Sequence, residues 1–253
     1  MKEELVSIII PVYNASRFIT ETINTVLNQT YTNWELILVD DISTDNSVEI
    51  INKIINENKD KNIRLIQLKE KGLAAGARNT GVDNANGRYL CYLDADDLWN
   101  KDKLLKQIKF MQDNNCSFSF TGYEFANSEG IPNGKKVFIP NKMSYKDALK
   151  NTTISTITVM FDMTKLSKEQ IYMPKIKSED TACWWKILKE IDYAYGLNEI
   201  LAYYRRSEDT LSSNKFEAAK RIWNLYRKVE NLNFIYSGYN FCFYAFNAVK
   251  RRV

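Results

Sequence analysis

The first half of the chain alternates short apolar runs, rich in β-branched residues, with longer segments of helical periodicity. The runs predict four strands, at 6–12, 34–39, 63–68 and 89–93. Residues 43–59 repeat Val and Ile at helical spacing, which predicts an amphipathic crossover helix. Because βαβ crossovers are right-handed and cover both sheet faces, this pattern predicts an α/β fold with a mostly parallel, doubly wound sheet.

The second half of the chain has a less regular pattern. Residues 127–141 contain two glycines and two prolines and are typical of a loop, or of a ribbon that crosses the surface. Two runs, 156–161 and 199–204, predict strands, and 179–190 predicts a helix. We expect this mixed region to elaborate a single large domain.

Composition narrows the chemistry. None of the 253 residues is histidine, which excludes Ser-His and Cys-His nucleophile systems and imidazole metal ligands. Acid–base chemistry must therefore come from carboxylates, Lys or Tyr. The 35 basic and 31 acidic residues give a formal charge of +4 without a long basic block, so we expect no nucleic-acid partner.

Cysteine placement and the apolar segments favour a cytoplasmic location. The four cysteines are far apart and lack CxxC spacing, which indicates reduced thiols and argues against structural zinc. The charged residues 1–4 do not resemble a secretory signal, so we expect no export by that route. Residues 232–249 are interrupted by polar side chains, and we expect them not to span a membrane, which needs ~20 apolar residues.

Asp94, Asp96 and Asp97 follow the apolar run 89–93 and place three carboxylates at the end of a predicted buried strand. Clustered anions repel one another and lose hydration there, so Mg²⁺ or Mn²⁺ is one natural partner. The other interpretation is an acidic cap for a helix that begins near Asn100, because a helix dipole favours negative charge at that end. Taken alone, the cluster favours neither interpretation.

Polar residues follow each of the four predicted strands, at 13–14, 40–41, 69–78 and 94–97. Ligands of a doubly wound sheet bind beyond the carboxyl ends of its strands, so we expect these groups to converge on one site. A helix cap explains one acidic pair and does not predict the other clusters. The binding-site interpretation is therefore favoured.

The order of these segments resembles the family 2 glycosyltransferases, which are nucleotide-sugar enzymes with the GT-A fold. Five motifs carry the resemblance: VSIIIPVYN at 6–14, VLNQTY at 26–31, VDDISTD at 39–45, ARNTG at 77–81 and LDADD at 93–97. The resemblance resumes at 178–180, where Ser-Glu-Asp precedes an aromatic helix as in the family.

The resemblance implies a GT-A domain over 1–213, Rossmann-like and mostly parallel, with C-terminal helices at 214–253. Residues 1–123 form its nucleotide-sugar-binding half and 124–213 its acceptor-binding half. The implied activity is inverting transfer of a hexose or N-acetylhexosamine from a UDP-sugar to a hydroxyl of a glycan acceptor, which is a cell-surface polysaccharide or a lipid-linked or protein-linked glycan. The donor sugar, the acceptor and the oligomeric state are left open.

The resemblance also assigns the donor site. Tyr13 stacks on the uracil ring, Asp41 accepts a hydrogen bond from the base imide, and Pro11 and Asn14 shape the pocket. Arg78 reaches the base or the phosphates; the alternative is a solvated helix arginine.

The resemblance assigns metal binding and deprotonation of the acceptor to the acidic motifs. Asp96 is the direct ligand of Mn²⁺ or Mg²⁺, Asp94 contacts the ribose or the metal and its water shell, and Asp97 orients the loop. Asp180 is the base that deprotonates the acceptor hydroxyl, and Glu179 binds or orients the sugar. Without the resemblance, capping of the following helix would be the favoured role for Asp180.

Two aromatic segments, one in the acceptor-binding half and one in the C-terminal extension, are candidates for binding. Trp184 and Trp185 are candidates for contact with the acceptor sugar, but adjacent helical residues point about 100° apart, so at most one is expected to do so. Residues 234–253 are rich in Tyr and Phe and end in a basic cluster. They predict either an interfacial helix on anionic lipid at the inner face of the membrane, or a helix packed on the domain or on a subunit partner.

The chain departs from the family pattern in two places, and two rival functions are disfavoured. Ile42 stands where the family usually has glycine, which restricts the backbone, and residues 204–207 lack a histidine found in some relatives. A haloacid-dehalogenase-type phosphatase with Asp94 as nucleophile is disfavoured because Leu98 replaces the expected Thr or Val. A nucleotide-sugar-binding scaffold without turnover is disfavoured by the intact acidic motifs.

Overall fold

A ten-stranded mixed sheet forms the centre of the computed structural model, which describes residues 4–206 and 215–250. The strands are β1 (Val6–Val12), β2 (Trp34–Asp40), β3 (Ile63–Gln67), β4 (Tyr89–Tyr92), β5 (Leu98–Trp99), β6 (Phe118–Ala126), β7 (Pro132–Val137), β8 (Lys142–Met143), β9 (Met160–Asp162) and β10 (Ala194–Arg205). The helices are α1 (Ile19–Leu27), α2 (Ser47–Glu57), α3 (Leu73–Asp83), α4 (Lys103–Asp113), α5 (Tyr145–Lys150), α6 (Lys168–Ile171), α7 (Glu179–Leu188), α8 (Lys215–Asn224) and α9 (Phe234–Lys250).

The first four strands form the parallel part of the sheet, in the order β3-β2-β1-β4. The chain runs from β1 outward through β2 to β3 and then returns to the other side of β1 with β4. Such a reversal of strand order opens a crevice at the carboxyl ends of the central strands. The four strands predicted in the first half are confirmed, and their ends place the candidate polar residues at this crevice.

Alternating side chains of the central strands enter two separate cores, which confirms the doubly wound arrangement. In β2, Ile37 and Val39 face a core shared with α3 and α7, whereas Leu36 and Leu38 face a core shared with α1, α2 and α4. Helix α3 lies so close to β1 that a Cβ on Gly81 would be 2.4 Å from Ile9 Cγ2. The close packing of α3 against β1 therefore explains why the ARNTG motif has a glycine at this position.

The rest of the sheet is mixed, as predicted for the second half. Strand β9 runs antiparallel to both β4 and β6, and β6 runs parallel to β10. The run 199–204 lies within the longer β10, and the glycine- and proline-containing segment 127–141 includes β7, which pairs antiparallel with β6.

One strand prediction is wrong in its extent. Only Met160–Asp162 of the region around 156–161 is a strand, and Thr156–Thr158 forms a 3₁₀ turn. The Thr158 amide and hydroxyl both donate to the Ser155 carbonyl, at 3.0 and 2.6 Å. These local bonds compete with strand pairing despite the β propensity of Thr and Ile.

The chain ends in helices, as predicted. Helices α8 and α9 are joined through a π-helical turn at Leu225–Val229, and α9 packs on α5 and α8. Across the described ranges, no helix has the length and apolar character needed to span a bilayer. The division into halves at 123 and an extension from 214 stays a prediction, and the boundary at 213 lies outside the described residues.

Candidate active site

A cavity of about 1120 Å³ opens at the carboxyl ends of β1, β2 and β4. Its walls include eight of the residues predicted from the sequence: Pro11, Tyr13, Asn14, Asp41, Arg78, Asp94, Asp96 and Glu179. The expected convergence of the polar clusters is therefore confirmed. This volume lies slightly above the range of about 300–1,000 Å³ that is typical of ligand sites.

Tyr13 and Asp41 lie at one end of the cavity. The Tyr13 ring is about half exposed, and the Lys71 ammonium lies 3.9 Å from its centroid, which is cation–π distance. Asp41 is buried, and its Oδ1 accepts a hydrogen bond of 2.6 Å from the Gly72 amide. This bond fixes the loop after β3 against the end of β2, and Lys71 belongs to that loop.

The turns after β1 and β2 are bonded to each other. Asn14 has a φ of 48°, its amide donates to Ser43 Oγ at 2.9 Å, and its Oδ1 accepts from the Thr44 amide at 2.8 Å. Ile42, at the position of the family's glycine, also has a positive φ, of 61°. A β-branched residue in this region costs roughly 1–2 kcal/mol. The turn thus keeps a left-handed conformation although its residue is not glycine.

The acidic turn after β4 is organised by Arg205, from the end of β10. The Arg205 amide donates to Asp97 Oδ1 at 2.7 Å, and its Nε donates to the Asp96 carbonyl at 2.6 Å. Its Nη2 pairs with Glu21 at 2.6 Å. Asp97 points into the protein and holds the turn, while Asp94 and Asp96 line the cavity.

Negative charge accumulates in this turn. Burial, followed by repulsion from Asp94, raises the pKa of Asp96 to about 6. Burial and the charges of Asp96 and Asp94 raise the pKa of Asp97 well above its usual range. A hard cation would relieve this repulsion, so the oxygen donors of Asp94 and Asp96 fit Mn²⁺ or Mg²⁺. Among residues 4–206 and 215–250, no group of three or more acidic, Cys or His side chains is placed to hold an ion.

Arg78 connects the two halves of the cavity. Its buried guanidinium donates to Asp94 Oδ1 at 2.6 Å and to Glu179 Oε1 at 2.9 Å. Burial opposes its charge, but Asp94 and Glu179 raise the pKa of Arg78 above its ordinary value. The next residue, Asn79, exchanges hydrogen bonds of 2.8 and 2.9 Å with the Met173 backbone. The ARNTG motif therefore ties the strand-end turns to the loop that precedes α7.

Glu179 and Asp180 form the first turn of α7. Ser178, just before them, has a φ of 61°, and Glu179 lines the cavity whereas Asp180 is not among the lining residues. Asp180 Oδ2 accepts a hydrogen bond of 3.4 Å from Thr156 Oγ1, and its Oδ1 accepts one of 2.6 Å from the Thr181 amide. Burial, together with the charge of Asp180, raises the pKa of Glu179.

The predicted acceptor contact of Trp184 and Trp185 is wrong, because both side chains are buried. Trp184 packs against Tyr92, Phe118 and Phe161, with ring centroids 5.6 to 6.4 Å apart. Trp185 stacks on Tyr226 at 5.3 Å with an interplanar angle of 3°. The two indoles point in different directions, as expected for neighbours on a helix, but each direction leads into packed side chains.

Sequence comparison supplies the family. The model of the family described as "Glycosyl transferase family 2" matches residues 7–171. The chain belongs to this family. It is 45% identical over 250 residues to "Putative teichuronic acid biosynthesis glycosyltransferase TuaG" of Bacillus subtilis (strain 168), covering 98% of both chains. It is 41% identical over 226 residues to WfgD of Escherichia coli, covering 89% of this chain and 86% of WfgD.

The fold of this family 2 glycosyltransferase is also found among solved structures. The mannosyltransferase PcManGT from Pyrobaculum calidifontis superimposes with a TM-score of 0.70, at 19% identity over 90% of this chain and 64% of PcManGT. The GT-A fold expected from the resemblance is confirmed. Family membership also rules against the phosphatase alternative that used Asp94 as nucleophile.

Some cavity residues of the glycosyltransferase were not predicted from its sequence. The loop before α7 contributes Lys175 and Lys177, and α8 contributes Glu217 and Arg221, one helical turn apart. No motif distinguishes these residues, because the contact depends on how α8 folds back. Arg205 belongs to no binding motif, but its position just after the predicted strand 199–204 is a signal for a residue at the carboxyl end of the sheet.

Proposed function

We propose that the enzyme transfers a hexose or N-acetylhexosamine from a UDP-sugar to a hydroxyl of a glycan acceptor, with inversion at the anomeric carbon. The observation that carries the proposal is the meeting of Tyr13, Asp41, Asp94 and Asp96 with Glu179 in one cavity. These residues come from four separate segments, and the cavity has the polar and apolar surfaces that a nucleotide sugar requires.

The donor occupies the end of the cavity near β1 and β2. Tyr13 offers a ring for stacking on uracil, with Lys71 already on one face, and Asp41 accepts a hydrogen bond from the base imide. Pro11 and Asn14 shape this end, and Asp94 contacts the ribose. The choice of UDP is supported by WfgD, whose name gives UDP-Glc as its donor.

Asp96 and Asp94 would hold a divalent ion, Mn²⁺ or Mg²⁺. When bound, such an ion supplies Lewis-acid neutralisation of the leaving diphosphate. Their charge accumulation supports this role, and the related fold PcManGT is described in complex with GDP-Man and Mn²⁺. Asp97 and Arg205 keep the turn in place from behind, which preserves the orientation of both ligands.

Asp180 takes the proton of the acceptor hydroxyl as its oxygen bonds to the anomeric carbon and the bond to the diphosphate breaks. A single displacement of this kind inverts the anomeric configuration. Glu179 is paired with Arg78, so we assign it an orienting role, and Thr156 positions Asp180. Arg78 itself has both sides of its guanidinium on carboxylates, which favours a positioning role over direct contact with the base or phosphates.

A glycan carried on a lipid diphosphate is the acceptor class that relatives favour. WfgD is named as acting on alpha-D-GlcNAc-diphosphoundecaprenol, and the name of TuaG refers to teichuronic acid biosynthesis. We therefore propose that the enzyme builds a cell-surface polysaccharide, working in the cytoplasm and peripherally at the inner face of the membrane.

The decisive experiment measures UDP release by the purified enzyme with a panel of UDP- and GDP-sugars, in Mn²⁺, Mg²⁺ or EDTA. We expect metal-dependent release from one UDP-sugar, because slow hydrolysis to water needs no acceptor. Release from a GDP-sugar alone would refute the donor assignment. Binding of UDP without turnover, even with a lipid-linked glycan acceptor present, would identify a scaffold instead.

A further inference from the structure

Helix α9 carries apolar side chains on its outward face as well as on its inward face. The inward face buries Ser237, Asn240 and Tyr244, and Tyr236, Phe241 and Ala248 pack on the core beside them. Its outward face carries large apolar side chains with exposed fractions of 43 to 85%: Ile235, Tyr239, Phe243, Phe246 and Val249. A helix that packs on a domain in water normally has a polar outward face.

The exposed side chains of α9 form one continuous stripe. Their spacings of four, four, three and three residues keep all five within roughly 120° of the helix circumference, at 100° per residue. Tyr239 and Phe243 contact each other with centroids 5.0 Å apart. A contiguous exposed apolar surface of this kind marks an interaction site.

The surroundings of the stripe are basic. Residues 234–250 contain no Asp or Glu, and the Lys150 ammonium lies 5.1 Å from the Tyr239 centroid and 5.4 Å from that of Phe243. Lys250 is exposed at the end of α9, and Arg251 and Arg252, outside the described residues, follow it in sequence. The acidic residue of α5, Asp147, is engaged in the N-cap of its own helix with Ser144.

We propose that the outward face of α9 docks on the surface of an anionic lipid bilayer, with its rings at the boundary between headgroups and acyl chains. Aromatic side chains favour that boundary, and lysines at its edge are attracted to anionic headgroups. A second copy of the chain fits this face less well. A two-fold contact would bring each stripe, with its basic surroundings, against the same basic surroundings of the partner.

The docked face of α9 lies close to the cavity. Helix α9 packs on α8, and α8 supplies Glu217 and Arg221 to the cavity wall. The docked face is therefore one helix away from the site. This inference rests on the proposed lipid-linked acceptor, whose diphosphate and sugar would lie at the membrane surface.

The test is co-sedimentation of the full chain with vesicles of phosphatidylcholine alone or mixed with phosphatidylglycerol. We expect binding to the mixed vesicles, and a loss of roughly tenfold in the Ile235→Ser/Phe246→Ser double variant. Phe138→Ser is the matched control, since Phe138 is exposed to 64% and Phe246 to 69%, but Phe138 lies at the end of β7. Circular dichroism verifies that all variants are folded.

Three results would overturn the proposal: no binding of the unaltered chain, equal binding by the double variant, or equal loss in the Phe138→Ser control. A concentration-dependent dimer that the double variant abolishes, without vesicle binding, would also overturn it and assign the face to a second copy. Release of UDP in solution separates this test from the proposed function. Vesicle binding without UDP release, even with a lipid-linked glycan acceptor present, would refute glycosyl transfer alone, whereas transfer to a lipid-linked acceptor without vesicle binding would refute docking alone.

Discussion

Two carboxylate clusters at the cavity differ in how their charge is compensated. In the turn after β4, one of three carboxylates, Asp94, has a guanidinium partner, and burial with mutual repulsion raises the pKa of Asp96 and Asp97. At the start of α7, Glu179 has the other side of the same guanidinium, and Asp180 accepts hydrogen bonds from Thr156 and the Thr181 amide.

This difference shows how similar side chains can serve different chemistry. In the first cluster, burial and mutual repulsion disfavour the ionised forms of Asp96 and Asp97, so a bound cation would stabilise the cluster. In the second cluster, Arg78 pairs with Glu179 and two hydrogen-bond donors reach Asp180, an arrangement that suits a carboxylate acting as a base. Arg78 joins the two clusters, and a change in either cluster is expected to reach the other through it.

The largest effect is expected for Asp96→Asn, which removes the proposed ligand charge without changing shape. We expect the Mn²⁺-dependent part of UDP affinity to vanish and turnover to fall by roughly 10⁴, since metal assistance contributes several kcal/mol. Calorimetric UDP titration with Mn²⁺ or EDTA measures the affinity, and UDP release measures the turnover. Asp113→Asn, on the exposed end of α4, is the control. Retained Mn²⁺-dependent affinity would remove Asp96 as ligand.

The next largest effect is expected in the cluster at the start of α7. Asp180→Asn keeps the size of the side chain but has no basic oxygen, so kcat should fall by about 10³ while UDP affinity is unchanged. Glu179→Gln, the adjacent matched change, should alter the acceptor KM more than kcat. Steady-state kinetics with a glycan acceptor measures both. Normal turnover by Asp180→Asn would eliminate it as the base.

Arg78→Ala tests the link between the clusters. Removing one member of a buried ion pair leaves uncompensated carboxylates, and we expect a loss of roughly 3 kcal/mol in the free energy of unfolding. Urea denaturation measures the loss. Lys106→Ala breaks an exposed pair with Glu199 and should cost at most about 1 kcal/mol. Equal stabilities of the two variants would contradict the bridging role.

A smaller effect is expected behind the acidic turn. Arg205→Lys keeps the charge but cannot reproduce the fork that reaches Glu21, Ser128 and the Asp96 carbonyl. We expect a roughly tenfold weaker apparent Mn²⁺ affinity, or about 1.4 kcal/mol. Manganese titration of UDP release measures it, with Arg206→Lys as control. An unchanged Mn²⁺ dependence would show that the turn holds its position without Arg205.

The strands, the crossover helix and the convergence of Tyr13, Asp41 and Asp94 could be predicted because they follow from short-range periodicity and from the geometry of parallel sheets. The contacts that a side chain makes with residues from distant segments could not be predicted in this way. Trp185 stacks on Tyr226, more than forty positions away in sequence, and Arg221 reaches the cavity by the return of α8. The compensation of Glu179 by Arg78 is equally invisible to local patterns.

The smallest effect on activity is expected for Trp184, whose predicted contact with the acceptor is wrong. Trp184→Phe removes part of a buried ring that packs on Tyr92, Phe118 and Phe161, so it should cost about 1–2 kcal/mol of stability and leave the acceptor KM unchanged. Urea denaturation and acceptor titration separate the two readouts. A raised acceptor KM at unchanged stability would return Trp184 to the acceptor site. It would also weaken the contrast between the two carboxylate clusters, because α7 would then bind sugar through its aromatic face as well as through its carboxylates.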